Sequence, residues 1–295
     1  VDNRGVRFFR VKVLRTVPHA GRAFTQGLLA EGDTVWESGG QYGMSVLRRY
    51  RLGAATVTAE AGLPPELYAE GICRVGASIW QLTWRERVAL RWDAETLEVT
   101  ERVRFNREGW GICAVPVDNR FPVDSNHVES TAVDNAPTRA GTVDNPGITA
   151  PAPVHIPVGE VVTSDGSSEL VRRDPVTLEP RAVVPVRAAG ARLRWLNDLA
   201  WSDGRIWANV IGTTFLAGID LDTGAVTDIV DARAAGEWHR HPQQVMNGIA
   251  ALGPGEFLLT GKGWRSVRHV RLAPDRDRGQ LDRMLEGARA LMQRG

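Results

Sequence analysis

A short phrase recurs five times along this chain, and its spacing constrains the fold more than any other feature. It reads QGLL at 26–29, EGIC at 70–73, WGIC at 110–113, NDLA at 197–200 and NGIA at 247–250. Each copy has a polar or aromatic residue, then Gly (Asp once), then two mostly apolar residues. A turn and a second apolar stretch follow: TVWES at 34–38, SIWQLTW at 78–84, VVTSDGS at 161–167, RIWANV at 205–210 and FLLTGK at 257–262. Third and fourth strands are read from LRRYRLGAATVTAEA, LRWDAETLEVTERV, LVRRDPVTLEPRAVV and LAGIDLDTGAVTDIV, where DAET, DPVT and LDTG supply the hairpin turns. The second residues of the copies lie 44 (27 to 71), 40 (71 to 111), 87 (111 to 198) and 50 (198 to 248) residues apart. A period of about 40–50 residues with four short strands each is the signature of propeller blades. The expected fold is therefore all-β, a five-bladed β-propeller of four-stranded antiparallel blades.

The long interval has a visible cause. Residues 115–159 are rich in Pro, Asn, Asp, Thr and Gly and repeat the triplet VDN at 117–119, 133–135 and 143–145. Such a segment buries too little apolar surface to offset its ordering entropy, so it is expected to be a mobile insertion within the third blade. The last repeat supplies only three strands, ending at VRHVRL (267–272), while FFRVKVLRTV (8–17) is a strand with no blade of its own. Pairing the two would close the ring and remove two open strand edges. One propeller is expected over 1–278, and a helical tail over 279–295, where Leu281, Met284, Leu285, Ala288 and Leu291 fall at helical spacing.

Composition narrows the partners. The formal net charge is +1 over 295 residues, which gives no field for nucleic acid or an acidic membrane. No apolar run approaches the roughly 20 residues that span a bilayer. The opening VDNRGVRFFRVKV lacks the apolar core of a signal peptide. Cys73 and Cys113 do not make a disulfide framework; they stand where other copies carry Leu29, Ala200 and Ala250, so buried free thiols are expected. Of 36 basic residues only Lys12 and Lys262 are lysines. His239 and His241 in WHRHP lack the neighbouring donors of a zinc site, and the VDN segment lacks the fixed ligand interval of a calcium loop.

In a propeller the innermost strand of each blade lines a central channel. Gln26, Glu70, Trp110, Asn197 and Asn247 occupy equivalent positions and are expected to converge at one mouth, as polar groups within aromatic walls. The plainer alternative is that these side chains only cap strand ends.

The strings FTQGL (24–28), YAEGI (68–72), QLTW (81–84), EGWGI (108–112), SDGSS (164–168), LNDL (196–199), IWANV (206–210), MNGIA (246–250) and LTGK (259–262) resemble, in order and spacing, the plant and bacterial glutaminyl-peptide cyclotransferases. The resemblance implies a five-bladed propeller that cyclises N-terminal glutamine to pyroglutamate with release of ammonia. It also implies no cofactor or metal requirement, peptide or protein substrates with a free N-terminal Gln, and a periplasmic or secreted location for a monomer. By the same resemblance Glu70 is the catalytic acid–base group, and Phe24, Gln26, Tyr68, Gln81, Trp84, Trp110, Asn197 and Lys262 form the pocket. Within that reading Glu70 shuttles the proton, Lys262, Asn197 and the indole N–H of a pocket Trp are the candidates for the oxyanion, Trp84 and Trp110 clamp the glutamine side chain, and Gln26 bonds its amide. Three positions depart from the family pattern: Ile211 stands where members usually carry Trp, Ala200 where they carry an acid, and Tyr68, a mild change, where Phe is usual. These departures, with the insertion, keep open a propeller of the same ancestry that binds peptides without turnover. A metal-dependent propeller lactonase is a second alternative, although only Glu70 and Asp198 are acidic among the five starts.

Overall fold

The computed structural model describes residues 5–21, 24–54, 56–117, 157–237 and 244–292. The described chain is all-β apart from a single 3-10 turn and one α-helix. Apart from the N-terminal strand and a short hairpin of Arg187–Ala188 with Ala191–Arg192, its strands fall into five modules, each starting at one copy of the repeated phrase. Module 1 runs through Thr25–Glu31, Thr34–Gly39, Val46–Arg51 and Ala59–Gly62, and module 2 through Ala69–Val75, Ser78–Thr83, Val88–Asp93 and Val99–Arg104. Module 3 holds Ile112–Pro116, Val158–Ser164, Glu169–Arg173 and Pro180–Pro185, and module 4 holds Leu196–Ser202, Arg205–Val210, Phe215–Ile219 and Val226–Asp231. Module 5 has Met246–Gly253, Glu256–Gly261 and Ser266–Pro274. Within each module successive strands pair antiparallel.

The N-terminal strand Arg7–Pro18 supplies the missing fourth strand of module 5, antiparallel to Ser266–Pro274 with Val11 opposite Leu272. Its other edge runs parallel to Val226–Asp231 of module 4, Arg7 opposite Asp228. Buried Asp228 fixes that edge by pairing with Arg7 at 2.6 Å and Arg205 at 2.7 Å. The insertion begins later than the sequence suggested. Val115 and Pro116 pair with Glu160 and Val158, so strand pairing extends into both ends of 115–159. The strand read at 161–167 correspondingly spans Val158–Ser164, and Asp165–Ser167 form the turn that follows.

Alternation along the strands puts apolar side chains on both faces, and the faces pack module against module. Five buried clusters result. Trp36, Leu47, Ile72 and Trp92 join modules 1 and 2, and Trp80, Leu82, Ile112 and Val161 join 2 and 3. Val162, Leu170, Leu196 and Phe215 join 3 and 4, while Trp207, Leu216, Phe257 and Leu259 join 4 and 5. The last, Val17, Leu28, Val35 and Leu258, joins 5 to 1. The expected tail helix, Gln280–Met292, buries Leu281, Met284 and Ala288 in the cluster of modules 3 and 4. It is too short and too polar to cross a membrane. Cys73 and Cys113 are buried and unbonded, as expected.

The first strands of the modules meet edge to edge around the glycines of the repeated phrase. A Cβ on Gly71 would lie 2.7 Å from the Trp110 carbonyl oxygen, and one on Gly111 only 2.0 Å from that of Asn197. Asp198 replaces the glycine in module 4, and its Oδ2 accepts the backbone N–H of Leu28 at 3.2 Å and of Ile249 at 2.8 Å. One carboxylate therefore holds three first strands together.

A second buried network spans the seam of modules 5 and 1. His19 Nε2 lies 2.9 Å from both Glu37 oxygens, its Nδ1 meets the Trp264 carbonyl at 3.0 Å, and Thr25 donates to Glu37 at 2.6 Å. Burial pulls the His19 pKa down, but the charge and hydrogen bonds of Glu37 outweigh it and leave the pKa raised above 6.5.

Two expectations follow from this packing. Gly111→Ala should cost about 3 kcal/mol or more in chemical denaturation, because backbone lies where the new methyl must go. Gly62→Ala, where a Cβ meets nothing within 4 Å, should stay within about 0.5 kcal/mol; equal losses for both would refute the close approach. For His19, a raised folded-state pKa contributes stability that is complete below pH 6.5 and lost as pH rises through the higher folded value. Melting followed from about pH 6 to about pH 9 should therefore show a decline that His19→Asn lacks. Parallel profiles for the two proteins would contradict the assignment.

Candidate active site

The residues that open the repeated phrases sit at the start of the first strands, directly before the packed glycines. Because those strands converge, four of the five side chains do too. A cavity of about 150 Å³ is lined by Gln26, Tyr68, Glu70, Trp84, Trp110, Asn197, Ile211 and Lys262. All five modules contribute to this wall: Gln26 from module 1; Tyr68, Glu70 and Trp84 from 2; Trp110 from 3; Asn197 and Ile211 from 4; Lys262 from 5.

Aromatic rings form its sides. Tyr68 meets Trp84 edge-on with ring centres 5.5 Å apart, and Tyr42 meets Tyr68 at 5.1 Å. Across the cavity Trp110 tilts against Trp195 at 6.1 Å. Gly166, at φ +74°, turns the chain beneath Trp110, where a Cβ would come within 2.6 Å of the indole ring. Trp84 is covered from outside by the Arg85 guanidinium, 4.0 Å from the ring centre.

Glu70 is 5% exposed. Burial pushes its pKa well above 4.5; Lys262 pulls it down, and Asp198, Glu86 and Glu108 push it further up. Among the described residues no hydrogen bond contributes to that balance, unlike Asp198, whose carboxyl accepts the backbone N–H groups of Leu28 and Ile249. Lys262 is the complementary case: burial lowers its pKa while Glu70 raises it. The two groups line the same cavity and act on each other through charge. Tyr68, half-buried and near Glu70, has its pKa pushed up to about 12, first by burial.

Three expected residues stand differently from the rest. Phe24 is outside the cavity wall, behind Lys262, whose Nζ lies 5.1 Å from the ring centre; the two residues also form a backbone bridge. Gln81 is fully buried away from the wall, its Nε2 donating to Ser38 Oγ at 2.8 Å and to the Val46 carbonyl at 3.3 Å. It ties module 2 to module 1. Asn247, the fifth starting residue, donates to Gln26 Oε1 at 3.1 Å, and Gln26 Nε2 in turn donates to Tyr68 Oη at 3.2 Å. The Gln26 amide is thus engaged at both ends, and it orients Tyr68.

Other contributors carry weaker signals in the sequence. Glu86 accepts from Tyr42 Oη at 2.7 Å and from the Tyr68 backbone N–H at 3.2 Å, and Glu108 accepts from the Trp110 indole at 3.4 Å. Each lies two residues from a wall Trp, a proximity that points to it. Trp195 directly precedes LNDL, and its carbonyl holds the Ile211 N–H at 3.0 Å. Among the described residues no group of three His, Cys, Asp or Glu side chains could hold a metal ion; His239 and His241 lie outside those residues.

The family model for glutamine cyclotransferase matches residues 2–121 and 157–272, well over half of the chain. The chain belongs to the glutamine cyclotransferase family. The glutaminyl-peptide cyclotransferase of Arabidopsis thaliana is 26% identical to it over 274 residues, covering 90% of this chain and 72% of that protein. The crystal structure of Myxococcus xanthus glutaminyl cyclase aligns with a TM-score of 0.71 at 27% identity, over 92% of this chain and 99% of that one. The cyclotransferase match skips 122–156, which lies inside the Pro- and Asn-rich insertion. Membership in this family sets aside the lactonase alternative.

Proposed function

We propose that the cavity between Tyr68, Trp84 and Trp110 is where this cyclotransferase carries out its family's reaction, converting N-terminal glutamine of peptides and proteins to pyroglutamate with release of ammonia. The observation that carries the assignment is a buried carboxyl, Glu70, and a half-buried lysine, Lys262, in one cavity with aromatic sides. We also infer that the five modules are the blades of a propeller whose ring is closed by the N-terminal strand. The five inter-module clusters, the last joining module 5 to module 1, support this reading.

In the reaction the neutral α-amine nitrogen attacks the side-chain amide carbon, closing a five-membered ring. The carbonyl oxygen takes up the electron pair as an oxyanion. Glu70, as a carboxylate, accepts the proton that the attacking nitrogen must lose. It then delivers that proton to the departing amide nitrogen. The C–N bond breaks, the carbonyl re-forms and ammonia leaves, so one proton taken is one proton given. A carboxyl whose pKa is raised toward the working pH serves both halves better than an ordinary glutamate, because it neither holds the proton too weakly nor releases it too reluctantly. Lys262 and Asn197, both on the cavity wall, face the oxyanion in this reading, and each such donor contributes roughly 3 kcal/mol to a transition state. Trp84 and Trp110 flank the methylene groups of the glutamine. Asn247, Gln26 and Tyr68 form a hydrogen-bonded relay that fixes the wall beside Glu70.

Two variants test the assignment. Glu70→Gln should lower kcat for a Gln-initiated peptide by roughly 10²–10⁴ while leaving the denaturation midpoint unchanged or higher; near-normal ammonia release would overturn it. Lys262→Met removes the positive charge that favours ionised Glu70. The Glu70 pKa must then rise, so the acid limb of the kcat/KM profile should move to higher pH as the rate drops. An acid limb that stays in place would show that Lys262 is not the charge partner of Glu70.

A further inference from the structure

The cavity holds one residue of a substrate, yet the turn that forms its wall leads into a second and larger space. A groove of about 800 Å³ lies along the outer part of module 2, lined by Glu86, Arg87, Arg102, Arg104, Phe105 and Glu179 among others. It adjoins the cavity: Trp84 and Glu86 belong to one turn, and Glu86 accepts the backbone N–H of cavity-lining Tyr68 at 3.2 Å.

The groove is unusual in its charges. Arg87, Arg102 and Arg104 are exposed, and none forms an ion pair among the described residues. Elsewhere on modules 1 and 2, Arg49, Arg51, Arg74 and Arg91 are each paired with a carboxylate. Below the groove lies a fourth guanidinium. Arg173 is 1% exposed, stacks on groove-lining Phe105 at 4.1 Å and donates to Asn106 Oδ1 at 2.7 Å, a neutral partner. Burial lowers its pKa to about 10, so it stays charged at neutral pH. Against these four cations the groove sets two carboxylates, and that of Glu86 is already occupied by Tyr42 and the Tyr68 backbone. A fixed surplus of positive charge over a concave surface selects an anionic occupant.

Dimensions indicate which part of a substrate would lie there. Module 2 runs from the inner strand Ala69–Val75 to the outer strand Val99–Arg104 in order. Three strand spacings of about 4.8 Å put the outer arginines roughly 14 Å from the inner strand, the reach of about four extended residues.

We propose that this groove binds the segment immediately after the N-terminal glutamine in substrates whose next few residues are acidic, their carboxylates pairing with Arg87, Arg102 and Arg104. The proposal rests on the cyclotransferase reading of the cavity and adds a substrate class to it. The pairs are exposed, so their contribution is modest singly, additive and salt-sensitive.

The test compares the peptides Gln-Gly-Asp-Asp-Asp-Phe and Gln-Gly-Asn-Asn-Asn-Phe, with the dipeptide Gln-Ala as a substrate too short to reach the groove. At low ionic strength the Asp peptide should have a kcat/KM about tenfold above the Asn peptide, through KM, and about 0.5 M salt should erase the difference. The double variant Arg102→Ala with Arg104→Ala should reduce the ratio to about twofold or less and leave Gln-Ala turnover unchanged. Equal turnover of the two peptides by the native protein, or a preference that survives in the double variant, would overturn the proposal. Loss of the cyclotransferase reading itself would show differently, as no turnover of Gln-Ala. Fluorescence anisotropy of a labelled pyroglutamyl-Gly-Asp-Asp-Asp-Phe peptide would then still report whether the groove binds acidic chains.

Discussion

Everything in this protein is built around the point where the first strands come too close together for side chains. Among the described residues, strand ladders join only modules 4 and 5, through the N-terminal strand; the sheets of modules 1, 2 and 3 stand apart and need another connection. What draws the five together at the centre is backbone lying on backbone, with Gly71 N–H donating to the Trp110 carbonyl at 2.8 Å and Ser164 Oγ bridging the Gly111 N–H and the Asn197 carbonyl. That approach is possible only with hydrogen at Cα. It has two consequences for chemistry. The residues one step before the glycines are brought to one place from different modules, and the backbone behind them has no room to yield. The site is therefore positioned by the most densely packed part of the fold, which is what a precise catalytic geometry requires.

The same centre holds two buried carboxyls in contrasting environments, and the contrast separates structure from chemistry. Asp198 replaces a glycine and commits its Oδ2 to backbone N–H groups of first strands in modules 1 and 5. A carboxyl committed in this way is a staple, since moving its proton would disturb three strands. Glu70 is also buried but takes no hydrogen bond among the described residues, and the charge of Lys262 opposes the cost of burial. It lines the cavity, where the proposed reaction brings it to the substrate nitrogen. Two acidic groups one strand position apart in the repeat thus differ because one meets N–H donors and the other meets a cavity.

How much of this was legible in the sequence follows from the same geometry. The repeated phrase with its glycines located the first strands, and hence Gln26, Glu70, Trp110 and Asn197, because spacing along the chain becomes position around a centre. Tyr68, Trp84 and Lys262 came from the family resemblance, and they too line the cavity. What local pattern could not supply was the direction of a side chain between modules. Gln81 alternates inward on its strand like a wall residue, yet the polar groups Ser38 and Val46 O of module 1 capture it first. Asn247 stands at the same place in the repeat as the other starts, but it meets Gln26 before it reaches the cavity. The ends of the insertion were misjudged for a related reason: Pro116 reads as a loop residue, although at a bulge it needs no ladder N–H and pairing can pass it.

Ile211 shows how a departure in sequence can be absorbed by packing. An aromatic ring lost from a cavity wall leaves either a void or a neighbour that fills it. Here Ile211 still lines the cavity, and its N–H is held by the carbonyl of Trp195, a residue at φ +69° whose ring tilts against Trp110. The left-handed backbone at a bulky residue is costly, and such strain persists only where surrounding structure over-determines it. Its N–H donates to the Gly166 carbonyl at 2.8 Å, in the turn on which Trp110 rests. The wall on this side is thus a linked set, Gly166, Trp110, Trp195 and Ile211, drawn from two modules and locked by main-chain hydrogen bonds. A smaller side chain at one member leaves the others in position, because none of them depends on Ile211 for its own support.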